Sequence, residues 1–162
     1  MADPMGKVHM TRRGYENLQA ELKRLKSQDR PKIVDEIRVA RAHGDISENA
    51  EYHAAKERQA QVEARIRFVE DRLARAEIVD TSSLPVDRVR FGLTVVLENL
   101  DSGEEVTYTL TGEEEADVAN GLLTVTSPIG RALIGKAVDD EVQIRVPSGT
   151  RQFEVREIRR ME

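Results

Sequence analysis

The strongest constraint in the sequence is a pair of long stretches with helical periodicity, separated by a short polar turn. The first stretch, residues 11–43, contains a single glycine and a single proline. Within it Leu18, Leu22 and Leu25 recur at intervals of four and three residues, the spacing of one packed helix face. The stretch is therefore predicted to be one long helix. Pro31 should kink or loosen it, because proline lacks the amide donor of a regular helix.

The second stretch is also predicted to be helical and to pack against the first. Thr11 is the predicted N-cap of the first helix, Gly44 is its predicted stop, and the second helix opens within residues 45–49. Apolar residues then form a coiled-coil seam with steps of four and three from Val62: Ala55, Val62, Ile66, Val69, Leu73 and Ala76. A short connection makes neighbouring helices antiparallel, so the first half is predicted to be a helical hairpin. At about 1.5 Å per residue, its first arm would be about 50 Å long.

The second half of the chain changes from helical to strand periodicity. Apolar residues alternate in four runs, the last of which slips by one position at Ile158: residues 89–97, 106–110, 142–146 and 153–158. Turn residues lie at 101–103 and 147–149. Ser127 and Pro128 are typical of a helix start, and Gly135 is a matching stop. These features predict a small antiparallel sheet with one short helix, so the whole chain is α+β.

The chain is predicted to divide into two domains joined by a polar linker. The coiled-coil hairpin occupies residues 1–80, the linker residues 81–86, and the sheet domain residues 87–162. Residues 1–80 have a net charge of +1 and residues 81–162 a net charge of −6, which together give the −5 of the whole chain. An acidic sheet domain is a poor candidate for binding nucleic acid by itself.

Composition excludes several classes of protein. The absence of cysteine excludes disulfide frameworks, thiolate metal sites and cysteine nucleophiles. No run approaches the roughly 20 apolar residues of a membrane span, and the N-terminus lacks the apolar core of a signal peptide, so a cytoplasmic location is expected. Motifs of phosphate-binding loops, nucleophile elbows and zinc hydrolases are also absent. The residues alone favour a non-enzymatic interaction protein.

The turn of the predicted hairpin carries two carboxylates, Asp45 and Glu48, three residues apart. Converging carboxylates suit Mg²⁺, which keeps several waters and often takes only one or two protein carboxylates. The remaining ligands would come from a partner. The alternative is structural: Asp45 would be the N-cap and Glu48 would complete a capping box. Ser47 is a competing N-cap that would leave Asp45 free, and the spacing does not decide between these roles.

Basic residues near the turn are candidates for nucleic-acid contact. Arg38 and Arg41 share a helix face and could reach a phosphate backbone, and Lys56 lies on the opposite arm. Acidic residues are interleaved with these cations, so ordinary surface ion pairs are the alternative.

Two long motifs resemble those of a known family. Residues 44–57, GDISENAEYHAAKE, resemble the tip signature of the Gre transcript-cleavage factors of bacterial RNA polymerase. Residues 127–136, SPIGRALIGK, resemble the family's C-terminal signature, and the likeness runs in the same order from about Met10 to Ile158. The segment HAAKE at 53–57 resembles the GreA branch rather than GreB, and Ile46 stands where leucine is frequent.

This resemblance implies a fold and a mechanism. The C-terminal domain would be FKBP-like in shape and would bind the polymerase near the mouth of its secondary channel. The hairpin would extend to the active site, where Asp45 and Glu48 would help to hold a second Mg²⁺ and position the attacking water on the backtracked RNA 3′ end. The protein would thus stimulate RNA cleavage as a monomer, without being an enzyme or binding a cofactor stably. Candidate polymerase contacts lie in the second motif: Ser127, Pro128, Arg131 and Lys136.

Three other functions are open from the sequence. A protein of the same fold could bind the same channel and inhibit the polymerase. A prolyl isomerase or chaperone would need an aromatic-lined pocket, whereas Phe91, Tyr108 and Phe153 alternate as core residues do. A coiled-coil scaffold would form intermolecular bundles. Within the second motif, packing rather than contact is expected for Ile129, Leu133 and Ile134.

Overall fold

The computed structural model describes residues 6–161. It forms two compact units. The hairpin unit comprises residues 15–76 with a short segment up to Val8, and the sheet unit comprises residues 9–14 and 77 onward. The helices are α1 (Arg12–Arg24), α2 (Arg30–Arg41), α3 (Ala50–Ala74) and α4 (Pro128–Leu133). The strands are β1 (Val8–Thr11), β2 (Ala76–Val79), β3 (Leu93–Asn99), β4 (Glu105–Thr111), β5 (Leu122–Thr124), β6 (Glu141–Val146) and β7 (Gly149–Arg160).

The predicted seam of the hairpin is confirmed. Four residues of the first arm and three of the second are buried: Leu18, Leu25, Ile33, Ala40, Ala55, Ile66 and Val69. The seam ends earlier than predicted, because Ala76 begins β2 instead of continuing α3. Near the turn only the small side chains of Ala40 and Ala55 are buried, so the helices meet there through alanine.

The first arm is interrupted where proline predicted a disturbance. A π-helical turn, Leu25–Asp29, separates α1 from α2, and Pro31 follows it in the first turn of α2. Proline cannot donate the regular backbone bond to the fourth residue before it, and the π-turn lies directly before this gap. The predicted cap of α1 is confirmed, because the amide of Gly14 donates to Thr11 Oγ1 at 3.0 Å.

Ion pairs join the two arms of the hairpin along its length. The partners are Arg65–Glu21 at 2.7 Å, Lys26–Glu70 at 3.2 Å, Arg30–Glu63 at 2.8 Å and Arg58–Glu36 at 2.9 Å. All four are partly exposed, so solvent screens them and each contributes little to stability. Their main effect is to favour one register of the two arms.

The sheet unit contains a five-stranded sheet in the order β5-β4-β3-β7-β6. Its neighbours are antiparallel except β4 and β5, which are parallel, so the prediction of a purely antiparallel sheet is wrong at this edge. A separate pairing of β1 with β2 was not predicted. The core lies on one side of the sheet, and Tyr108 and Phe153 pack against it, as expected for aromatics that do not line a pocket.

The slip in the last apolar run is a β-bulge. Val96 pairs with Glu157 and Leu97 with Val155, so Arg156 is an extra residue in β7. The bulge restores alternation and leaves both Val155 and Ile158 buried.

Residues 81–83 of the predicted linker form a short 3₁₀ helix capped by Asp80. The predicted domain bounds, 1–80 and 87–162, include residues outside the described range and stay predictions. No helix within residues 6–161 is long and apolar enough to cross a membrane.

Candidate functional site

The tip of the hairpin consists of residues 42–49, between the end of α2 and the start of α3. Gly44 has φ +119°, a conformation that side chains rarely adopt. The first arm ends before it, because α2 stops at Arg41 with Ala42 as its C-cap, so the prediction of Gly44 as the stop is wrong by two residues. Every residue from 41 to 48 is exposed. Nothing packs over this segment within the described part of the chain, so its shape depends on hydrogen bonds and on its two anchored ends.

Asp45 begins a 3₁₀ turn, Ile46–Glu48, as its N-cap. Its Oδ1 accepts hydrogen bonds from the Ser47 hydroxyl at 2.8 Å and from the Ser47 amide at 3.0 Å. These bonds lower the pKa of Asp45, the hydroxyl having the larger effect. Both bonds use Oδ1, which leaves Oδ2 without a hydrogen-bond partner among residues 6–161.

Glu48 ends the same turn and is exposed. Its backbone amide donates to the carbonyl of Asp45 at 3.3 Å. Its carboxylate makes no hydrogen bond within the described residues, so the alternative of a capping box is only half met: Asp45 caps the 3₁₀ turn, and Glu48 does not bond back to it. The charge of Glu48 therefore remains available to a ligand.

The cap of α3 is Asn49, which the sequence analysis did not identify. Asn49 Oδ1 accepts from the amide of Tyr52 at 3.0 Å, so neither Asp45 nor Ser47 caps this helix. Asn49 Nδ2 donates to the carbonyl of Ala40 at 2.6 Å, across the hairpin. The available signal was that asparagine is a preferred N-cap and directly precedes the regular helix.

Asp45 and Glu48 line one open cavity of about 420 Å³ at the tip. Its other lining residues are His43, Asn49, Ala50 and Glu51. Glu51 is a third carboxylate that the sequence analysis missed, although it follows Glu48 by three residues. The cavity thus offers hard oxygen donors, the ligand type that Mg²⁺ prefers. No three His, Cys, Asp or Glu side chains within residues 6–161 are arranged to hold a metal ion.

The basic candidates near the tip differ in their surroundings. Arg38 pairs with Asp35 at 2.8 Å, and Lys56 Nζ contacts Gln59 Oε1 at 3.0 Å. Arg41 is exposed and has no ion-pair partner in residues 6–161. Arg41 is therefore the most available of the three cations, and a contact of any of them with nucleic acid stays a prediction.

The second motif forms the predicted helix α4. Ser127 caps it, because its hydroxyl accepts from the Gly130 amide at 3.0 Å and donates to the Thr124 carbonyl at 2.7 Å. Pro128 is exposed at the start of α4, and Arg131 Nε donates to the Thr126 carbonyl at 2.8 Å.

The apolar residues of the motif divide between core and surface. Leu133 is fully buried and Ile129 packs against the core, as predicted. Ile134 is 42% exposed, so the packing role predicted for it is wrong. It follows the end of α4, where the chain turns at Gly135 with φ +82°. Lys136 is half-buried beside it, and its carbonyl accepts from the Val89 amide at 2.8 Å.

Two family models match successive parts of the chain. The model described as transcription elongation factor, N-terminal, matches residues 8–78. The model described as transcription elongation factor, GreA/GreB, C-term, matches residues 84–160.

Similar proteins cover nearly the whole length of the chain. The transcription elongation factor GreA of Hyphomonas neptunium is 53% identical over 151 residues, which are 93% of this chain and 96% of that relative. The one of Anaeromyxobacter sp. (strain K) is 53% identical over 154 residues, 95% of this chain and 93% of that relative. Among solved structures, GreA factor homolog 1 (Gfh1) of Thermus thermophilus is 32% identical with a TM-score of 0.44, covering 94% of this chain and 98% of that one.

Proposed function

The chain belongs to the GreA/GreB family of transcription elongation factors, and on this premise we propose that it binds bacterial RNA polymerase and stimulates cleavage of backtracked RNA. The observation that carries the proposal is the pair of exposed carboxylates at the end of the hairpin. Asp45 Oδ2 and the Glu48 carboxylate have no hydrogen-bond partner within residues 6–161. Six acids elsewhere on the described part of the hairpin form ion pairs and others, such as Glu57, do not, so what distinguishes Asp45 and Glu48 is that both lie at the turn and line the same cavity.

The proposed task of the tip is to complete a Mg²⁺ site in the polymerase. Phosphodiester hydrolysis with two metal ions needs both the attacking and the leaving oxygen to be stabilised, and the metal supplies that charge stabilisation. Asp45 is suited to this task because its hydrogen bonds from Ser47 hold its Oδ1 edge in place and leave Oδ2 for a ligand. Glu48 lies at the other end of the same 3₁₀ turn and can turn its carboxylate toward the same cavity.

The hairpin is proposed to carry these carboxylates through the secondary channel to the RNA 3′ end. α3 alone has 25 residues, which gives about 37 Å at 1.5 Å per residue. The arms meet through alanine near the tip, so the end of the hairpin is slender enough for a channel. Arg41 has neither an ion-pair partner nor a side-chain hydrogen bond among residues 6–161, so it is the first candidate for contact with an RNA phosphate, followed by Arg38 and Lys56.

The sheet unit is proposed to anchor the protein on the polymerase through the face around α4. Pro128 and Arg131 are exposed there, and Ile134 adds an exposed apolar side chain. Protein interfaces commonly combine an apolar centre with a polar rim, and arginine is enriched in them. Ser127 contributes indirectly, since its hydroxyl is used to cap α4. Lys136 is the fourth predicted contact and remains a candidate.

In this proposal the protein is a cleavage factor rather than an enzyme, because its tip supplies two ligands and the polymerase supplies the rest. Mg²⁺ is shared during cleavage and not held by the free protein. A cytoplasmic location and a monomeric state are proposed with it, since the hairpin closes its seam within one chain.

The test uses polymerase stalled in a backtracked state with end-labelled RNA and Mg²⁺. Wild-type protein is expected to shorten the RNA promptly, whereas Asp45→Asn and Glu48→Gln should each shorten it much more slowly at the same Mg²⁺ concentration while still binding polymerase. Glu57→Gln is the matched control, because Glu57 is an exposed acid of α3 outside the tip cavity, and it should behave as wild type. Binding of the wild-type protein without RNA shortening would contradict the proposal and favour an inhibitor of the same channel.

A further inference from the structure

We propose that Asn49 is the positioning residue of the tip. Its side-chain amide ties the start of α3 to the end of α2 and thereby fixes the turn that carries Asp45 and Glu48. The inference rests on the proposed function, because it concerns the placement of the same two carboxylates.

Asn49 makes two hydrogen bonds with opposite chemistry. Its Oδ1 accepts from the Tyr52 amide at 3.0 Å, and its Nδ2 donates to the Ala40 carbonyl at 2.6 Å. A backbone amide can only donate and a carbonyl can only accept, so the partners themselves determine which end of the side chain is oxygen and which is nitrogen. Asparagine is therefore matched to this position in a way that the usual alternative caps are not.

The bond to Ala40 is made where the packing of the two helices ends. Ala40 is 4% exposed and is the last buried residue of α2. Asn49 is half-buried, whereas residues 41–48 between the two are all exposed. The Ala40 carbonyl also accepts from the His43 amide at 3.1 Å, so one oxygen receives a bond from each side of the turn. Asn49 is thus the point at which the exposed turn is fastened back to the packed part of the hairpin.

Fastening matters because the two carboxylates lie on the turn itself. Catalytic groups need to be held to within about 0.5 Å of their productive positions, and a misplacement of about 1 Å can lower the rate about 100-fold. The backbone bonds inside the turn are long, at 3.3 Å for Glu48 to Asp45 and 3.2 Å for Asn49 to Ile46. A second anchor from a side chain therefore adds much of the rigidity that the turn has.

Two substitutions distinguish the capping bond to the Tyr52 amide from the cross-hairpin bond to the Ala40 carbonyl. Asn49→Ser keeps a good N-cap but is too short to span the hairpin, and Asn49→Asp keeps both size and cap but turns an acceptor toward the Ala40 carbonyl. Both are expected to retain helix content and polymerase binding. In the free protein, both should speed amide hydrogen exchange at residues 45–49 while leaving the amides of the buried seam unchanged.

The decisive measurement is the rate of RNA cleavage at saturating protein. Asn49→Ser and Asn49→Asp are each expected to slow cleavage by about 10- to 100-fold. The combined Asp45→Asn and Glu48→Gln variant gives the baseline, because it has no carboxylate left for Asn49 to position. A wild-type rate for either Asn49 variant would overturn the inference, as would slower cleavage without faster amide exchange at residues 45–49. If wild-type protein binds polymerase without shortening RNA, the proposed function fails and the inference falls with it. If wild type cleaves and Asn49→Ser cleaves equally well, only the inference fails.

Discussion

Gly130→Ala tests whether α4 is packed as closely as the structure describes. A methyl group on Gly130 would lie 2.2 Å from the Thr124 carbonyl oxygen and 2.9 Å from the Ser127 hydroxyl. The carbonyl would have to move by about 1 Å to reach an ordinary contact distance, and it belongs to the backbone, so it cannot swing aside as a side chain does. The same carbonyl accepts from the Ser127 hydroxyl at 2.7 Å and from the Ser127 amide at 3.2 Å.

The expected cost has two sources. Overpacking of a tight site costs about 1–3 kcal/mol, and loss of the Ser127 cap costs about 1 kcal/mol. Gly130→Ala should therefore lower the stability of the sheet unit by about 2–4 kcal/mol. Gly135→Ala is the comparison, because Gly135 has φ +82° but open space around it, and its cost should be only conformational, about 1 kcal/mol.

Amide hydrogen exchange at the buried centre of β3 measures this stability without requiring the whole chain to unfold in one step. Faster exchange in Gly130→Ala than in Gly135→Ala, with the seam of the hairpin unaffected, is the expected result. Equal exchange in the two variants, or a change below about 0.5 kcal/mol in Gly130→Ala, would refute the packing described for α4.

Two further predictions concern ionisable groups. Ser47→Ala should raise the pKa of Asp45 toward its ordinary value, because it removes the hydroxyl bond that lowers it most, and NMR titration of the free protein measures the change; an unchanged pKa would contradict this account. Burial raises the pKa of Glu115, and the Arg13 cation partly opposes this shift. The folded protein therefore holds the Glu115 proton more tightly than the unfolded chain does. The resulting stability is present below about pH 4.3 and is lost as the pH rises through the raised pKa. Glu115→Gln should therefore be more stable than wild type to denaturant at neutral pH and no more stable at pH 4; a difference that grows toward acid would contradict this.

Local features predicted much of the fold. The leucine and isoleucine spacing placed the hairpin seam, Thr11 and Ser127 marked helix starts, and Pro31 marked the irregularity in the first arm. Each of these depends on neighbours within about one helical turn, which is the range over which sequence patterns act. The one-residue shift in the apolar alternation before Ile158 is likewise a local feature, because it reflects a bulge within β7.

The features that escaped prediction depend on distant partners. Asp45, Ser47 and Asn49 are all preferred caps, and the cross-hairpin bond from Asn49 to Ala40 is what distinguishes the cap of α3. β5 has three residues, too few for a recognisable alternation, and its parallel pairing with β4 is set by the chain between them. Strand β3 starts at Leu93 rather than at Val89, since Gly92 turns the backbone with φ +89°.

The candidate site was predictable in its residues but not in its geometry. Asp45 and Glu48 stand out in the sequence because they flank a hairpin turn. The two carboxylates differ in their hydrogen bonding: Asp45 is bonded to Ser47, and Glu48 has no partner among residues 6–161. This difference follows from the 3₁₀ turn, which the sequence pattern did not indicate.

The most direct test of the central claim is the Mg²⁺ dependence of RNA cleavage at saturating protein. If Asp45 supplies a metal ligand, Asp45→Asn should raise the Mg²⁺ concentration for half-maximal cleavage by about tenfold or more, with polymerase binding unchanged. A lower maximal rate at an unchanged half-maximal Mg²⁺ concentration would contradict the claim, because Asp45 would then act on something other than the metal.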